Sequence, residues 1–190
     1  TLQLLYFIEW HSQFVNLEKP YLIVSPVSLL ENWENEYSKF FSPCSLKVLK
    51  LYGNIDLTKE KNLQKNQQDA LKLQSKQIIL TNYETVRSYQ FSIGLVDFAI
   101  IALDEAQKIK TPGTLIENAA KALKADFKIA MTGTPVENTL IDIWSLMDFA
   151  VSGLLGYAKD FYREYQKPLN DEGADIKELT ERLRNNIGFF

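Results

Sequence analysis

The chain has 190 residues, 46% of them hydrophobic and 24% charged, with a formal net charge of −3. That length suits one large domain able to bury a core without metal or disulfide staples, and the composition is that of an ordinary soluble globular protein. No apolar stretch reaches membrane-spanning length, the charge offers no global attraction to nucleic acid, and His11, the only histidine, sets aside His-based metal clusters and Ser-His-Asp triads.

Residues 1–13 carry Leu4, Leu5, Ile8 and Trp10 near helical spacing and read as a helix, with no basic leader or cleavage site that would make a secretory signal. Tyr21-Leu22-Ile23-Val24 is a strand closed by Ser25-Pro26. Ser28 with Glu31 three residues on reads as a capping box. Leu29, Leu30, Trp33, Tyr37 and Phe40 then share one face of the helix that follows. Cys44, the lone cysteine, reads as a small apolar residue after the turn Phe40-Phe41-Ser42-Pro43 and fits a reducing, cytoplasmic compartment. Residues 46–51 form a second strand candidate. Residues 54–77, rich in Lys, Gln and Asn, read as a loop and an exposed helix around 59–73. Residues 78–81 and 98–103 are the third and fourth strands, 114–123 a helix, and 127–131 the fifth strand. Thr139 and Asp142 open a helix with Leu140, Ile143, Trp144 and Met147 as its buried stripe. Helical segments near 157–166 and 175–186, separated by a loop at 168–173, close the chain.

Short apolar strands alternating with helices predict an α/β fold: a mainly parallel sheet covered on both faces over residues 1–150, with a helical appendage over 151–190. Ligands of such sheets gather at the carboxyl ends of the strands. Asp104-Glu105 and Thr132-Gly133-Thr134-Pro135 both fall there, which makes them one candidate site. Phosphoryl transfer to water needs a divalent ion on the phosphates and a group that orients the attacking water. Asp104 is placed to hold magnesium and Glu105 to act on the nucleophile. Two carboxylates at this point also suit the start of a helix, where the dipole favours them, and Thr132 to Pro135 is also an ordinary strand-to-loop turn.

The wider pattern is more specific. Leu22-Ile23-Val24-Ser25-Pro26-Val27-Ser28-Leu29-Leu30-Glu31-Asn32-Trp33 is followed by Ile79-Leu80-Thr81-Asn82-Tyr83-Glu84, by Asp104-Glu105-Ala106-Gln107-Lys108-Ile109-Lys110 and by Thr132-Gly133-Thr134-Pro135-Val136-Glu137-Asn138. In that order they resemble motifs Ia, Ib, II and III of the Swi/Snf-type ATPases, the DNA-translocating branch of helicase superfamily two. The resemblance covers nearly the whole chain and implies the first RecA-like lobe of a P-loop NTPase that uses ATP and Mg2+. It implies that Asp104 binds the metal and Glu105 activates water. Gln107, standing where the DEAH form has His, would sense the nucleotide and, with Thr132, Gly133 and Thr134, couple its state to a second lobe. Pro26, Ser28, Asn32, Thr81, Asn82 and Tyr83 would touch the phosphate backbone of double-stranded DNA, a contact that positions without reading sequence. Ser28 also reads as a helix cap and Tyr83 as a core aromatic.

No Gly-x-x-x-x-Gly-Lys-[Ser/Thr] loop occurs in these residues. By the resemblance, Thr1 looks like the magnesium-binding Thr of such a loop, whose glycines and lysine are expected upstream, and the second RecA-like lobe with its arginine fingers is expected downstream. A polypeptide of these 190 residues is therefore expected to be inactive alone. The protein carrying them is expected to be a DNA-stimulated ATPase that remodels protein–DNA complexes, in the bacterial cytoplasm at the nucleoid or in a eukaryotic nucleus, with no membrane partner. The competing readings are a DEAD/DEAH-type RNA helicase, a restriction motor, and a DNA-binding scaffold without hydrolysis.

Overall fold

The computed structural model describes residues 1–15, 18–41, 46–75, 77–134, 139–169 and 176–188. Cys44, Pro135 to Asn138 and most of the 168–173 loop lie outside them. Five strands form one sheet in the order β2-β3-β1-β4-β5. They are β1 (Tyr21–Val24), β2 (Val48–Leu51), β3 (Ile78–Thr81), β4 (Asp97–Asp104) and β5 (Lys124–Met131), and every pairing between neighbours is parallel. β4 is buried from Phe98 to Leu103 without a break. That continuous apolar run is what a central parallel strand requires, because helices cover both of its faces.

Two core clusters flank the sheet. One draws Leu4, Leu5 and Ile8 from α1 (Leu2–Phe14) and Leu30, Trp33 and Tyr37 from α2 (Leu30–Phe40). The other draws Ala70 and Leu73 from α3 (Leu63–Gln74), Tyr83 and Val86 from α4 (Tyr83–Ser88), Ile93 from α5 (Gln90–Ile93), Ala119 and Ala120 from α6 (Leu115–Lys121), and Leu146 and Phe149 from α7 (Leu140–Ala150). The sheet is thus a middle layer with α1 and α2 on one face and α3 to α7 on the other. A third cluster joins Trp144 of α7 to Phe161, Tyr165 and Leu183 of the C-terminal helical segments. Trp144 Nε1 also donates to the Gly156 carbonyl at 3.0 Å. No helix among the described residues is long and apolar enough to cross a membrane.

The capping box expected at Ser28 does not form. A 3₁₀ turn, Val27–Leu29, starts from Pro26, whose extended backbone (φ −53°, ψ 144°) makes it the residue before the turn. Ser28 therefore sits inside that turn, α2 begins only at Leu30, and no side-chain cap hydrogen bond is made. Asn62, Asn82 and Thr114 do cap helices, accepting from the N–H groups of Lys65, Thr85 and Glu117.

A polar knot pins the loop between β2 and α3. Asn66 donates to the Ser92 hydroxyl at 3.0 Å, Ser92 donates to Asp69 at 3.1 Å, and Asp69 accepts the Thr58 N–H at 2.7 Å. Asn66, Asp69 and Ser92 are all buried. Burial alone pushes the Asp69 carboxyl up, but the Thr58 and Ser92 hydrogen bonds and the charge of Lys72 outweigh it and hold it below the usual value. A folded value below the unfolded one gives stability that is present above pH ~4 and lost as pH falls through the folded value. Ser92→Ala leaves two buried partners one bond short and is expected to cost about 1–3 kcal/mol in urea unfolding. Asp69→Asn is expected to flatten the acid limb of stability against pH.

Candidate functional site

The parallel register brings five strand ends to one edge. Val24 lies opposite Thr81 and Leu103, Leu51 opposite Thr81, and Asp104 opposite Met131. The residues just past those ends are Ser25, Tyr52, Asn82, Glu105 and Thr132, so segments far apart in sequence meet along one rim.

Asp104 is half-buried and accepts hydrogen bonds on both oxygens. Ser25 Oγ (3.0 Å) and Trp33 Nε1 (2.9 Å) donate to Oδ2, and the Glu105 N–H (3.1 Å) donates to Oδ1. The Tyr83 hydroxyl donates to the Asp104 carbonyl at 2.7 Å. Burial first, then the charges of Asp104 and Glu105, push the Tyr83 phenol far above its ordinary range, so it stays protonated and remains a donor. Glu105 turns the chain sharply: at φ 52° and ψ 50° it is the only non-glycine residue with positive φ among those described. A left-handed Glu is disfavoured sterically, and conformations of this kind concentrate at functional sites.

From Glu105 a side-chain relay runs across to β5. Gln107 Nε2 donates to Glu105 Oε2 at 2.6 Å, Thr132 Oγ1 donates to Gln107 Oε1 at 2.8 Å, and the Thr134 N–H donates to Thr132 Oγ1 at 3.1 Å. The short helical turn carrying Gln107 is anchored beneath: Ala106 and Ile109 are fully buried, and Ser145 of α7 donates to the Ile109 carbonyl at 2.7 Å. The structure therefore brings Asp104, Glu105, Gln107, Thr132 and Thr134 together. Gly133 lies exposed between the last two, without positive φ and with open space where a Cβ would stand.

The residues expected at DNA divide in two. Pro26 is half-buried, and Ser28 and Asn32 are exposed, on the turn and first helical residues after β1. Thr81 is fully buried with its hydroxyl donating to the Leu51 carbonyl at 2.6 Å. Asn82 is buried and caps α4, and Tyr83 is committed to Asp104. Thr81 and Tyr83 are thus turned inward, and the Asn82 side-chain oxygen is committed to the cap. Thr1 is exposed at the start of α1 and makes no side-chain cap.

A model of the SNF2-related domain matches residues 1–188. The chain belongs to this family. Among similar proteins, the Zorya protein ZorD of Escherichia coli O139:H28 is 46% identical over 97% of this chain and 18% of its own length. The DNA excision repair protein ERCC-6-like of Danio rerio is 35% identical over 87% of this chain and 12% of its own length. The solved Sulfolobus solfataricus SWI2/SNF2 ATPase core in complex with dsDNA matches with a TM-score of 0.77 and 34% identity, covering 98% of this chain and 36% of that one. The fold is therefore the RecA-like α/β sheet of that core, and the chain spans only a minor part of the relatives it matches.

The donor set suits magnesium bound together with a nucleotide. An ionised carboxylate offers about four lone-pair positions, and the three hydrogen bonds on Asp104 leave one of them, on Oδ1. No group of three or more His, Cys, Asp or Glu side chains that could hold a metal exists among the described residues. Mg2+ needs none, because it is commonly held by one or two carboxylates together with phosphate oxygens and water.

Proposed function

We propose that residues 1–150 are the first lobe of a DNA-dependent ATPase and that residues 151–190 begin the helical extension toward a second RecA-like lobe. The observation that carries this reading is the relay from Glu105 through Gln107 to Thr132, set beside Asp104 on the carboxyl rim of a parallel sheet. Asp104, with Thr1, would hold magnesium on the phosphates of ATP, and the ion would neutralise charge on the phosphoryl oxygens. Glu105 would take the proton of the attacking water. Gln107 and Thr132 give that carboxylate a defined orientation and connect it to Gly133 and Thr134, from where a change at the phosphate would pass to the second lobe.

DNA is the second substrate of this reading. The net charge of −3 gives no broad attraction, so contact is local. Exposed Ser28, on the turn after half-buried Pro26, and exposed Asn32, at the start of α2, suit the phosphate backbone, and the Sulfolobus relative was solved with dsDNA. The test is ATP turnover by the protein carrying this chain, measured without nucleic acid, with duplex DNA and with RNA. Stimulation by duplex DNA is expected. Absence of turnover, or stimulation by RNA alone, overturns the reading.

A further inference from the structure

The Asp104 carboxylate is oriented by residues outside β4. Oδ2 takes the Ser25 hydroxyl, from the end of β1, and the Trp33 indole N–H, from α2. Both donors are built in: Ser25 is 0% and Trp33 3% exposed, and Trp33 packs in the cluster that holds Leu5, Ile23, Leu30 and Tyr37. An indole N–H can only donate, so a buried Trp at this place requires an acceptor, and Asp104 is that acceptor. Both donors are also neutral. A Lys or Arg in their place would compete with a cation for the carboxylate charge, whereas Ser and Trp fix its rotation and leave the charge intact.

We propose that Trp33 and Ser25 are positioning residues that occupy Oδ2 and reserve the remaining lone pair of Oδ1 for the divalent ion bound with nucleotide. The inference rests on the ATPase reading above and concerns how that site selects the geometry of its metal. It also gives the Trp of the motif around Asn32 a role at the phosphate rim, although its neighbour Asn32 faces solvent.

Mn2+ serves as the probe, with ATP, in the protein carrying this chain. Electron paramagnetic resonance measures free Mn2+ in the presence of wild type, Trp33→Phe, Ser25→Ala and the double variant. Phe keeps the ring and removes only the donor. Loss of an outer partner of a metal ligand typically lowers metal affinity 10–100-fold, so a loss of at least ~10-fold is expected in Trp33→Phe and a larger one in the double variant, with affinity for metal-free ATP unchanged. In parallel, the Trp33 indole N–H resonance of 15N-labelled protein, assigned by its absence in Trp33→Phe, is expected to shift in Asp104→Ala while those of Trp10 and Trp144 stay. A lowered melting temperature with Mn2+ affinity within twofold of wild type marks a merely structural role and overturns the proposal. If Trp33→Phe fails to fold, Ser25→Ala decides by the same criterion. Wild-type protein that binds Mn2+–ATP without turning it over sinks the ATPase reading and leaves the positioning inference to be judged on the affinity ratio. Wild type that binds no Mn2+–ATP overturns both.

Discussion

Glu105→Gln is expected to lower DNA-stimulated ATP turnover by the protein carrying this chain by about 10²–10⁴-fold, the range that a positioned proton-transfer group supplies. The substitution is nearly isosteric, and the Gln side-chain oxygen can still accept the bond that Gln107 Nε2 gives to Glu105. Backbone geometry at this position is fixed by its surroundings: the preceding strand is buried, and the following turn is held by Ala106, Ile109 and the Ser145 bond. ATP affinity and melting temperature are therefore expected to stay close to wild type, and the loss to fall on kcat. Gln107→Ala tests a different link. It frees the Glu105 carboxylate and cuts Thr132 from the relay, so a smaller kcat loss is expected, together with a weaker response to DNA. Turnover by Glu105→Gln within a few-fold of wild type would sink the assignment of Glu105 to the water.

The two halves of this rim differed in how readable they were. Asp104-Glu105 and Thr132 could be placed from sequence because each follows an apolar strand, and a parallel sheet collects its strand ends on one edge. The Gln107 bridge between them was legible only as a family resemblance. Ser25 and Trp33 were not legible as partners of Asp104 at all. They lie 79 and 71 residues away, and no local pattern encodes which acceptor a buried indole will meet. Ser28 misled because a Ser followed by Glu at the right spacing matches a capping box, yet Pro26 starts a 3₁₀ turn first. The helices α4 and α5 went unread because six and four residues carry too little periodicity. Thr81 and Asn82 were assigned to DNA by the family resemblance alone. Within the fold the Thr81 hydroxyl donates to the Leu51 carbonyl and the Asn82 side-chain oxygen accepts the Thr85 N–H, bonds that no local pattern announces.

Burial was the other quantity the apolar runs left open, and it sets the largest stability effect. Phe98 and Phe127 lie near the starts of runs that read alike as strands, yet Phe98 is 0% and Phe127 52% exposed. The cause is place in the sheet. β4 is paired on both sides, by β1 and β5, and each of its apolar residues meets one of the two cores. β5 is paired only with β4 among the described strands, and none of its residues is fully covered. Phe98→Ala removes a large ring from the middle of the core that also holds Tyr83, Val86 and Ile93, where little can collapse to fill the space. The expected cost in the 190-residue chain is about 3–5 kcal/mol, a fall in melting temperature on the order of 10 °C for a domain of this size. Phe127 rests edge-on against Phe7, with ring centroids 5.9 Å apart, and otherwise faces outward. Phe127→Ala is expected to cost about 1 kcal/mol, the worth of one such pair. Thermal unfolding of the two variants side by side checks the ratio. Equal losses would mean that β5 is as enclosed as β4, and the sheet order with β5 at its edge would have to be revised.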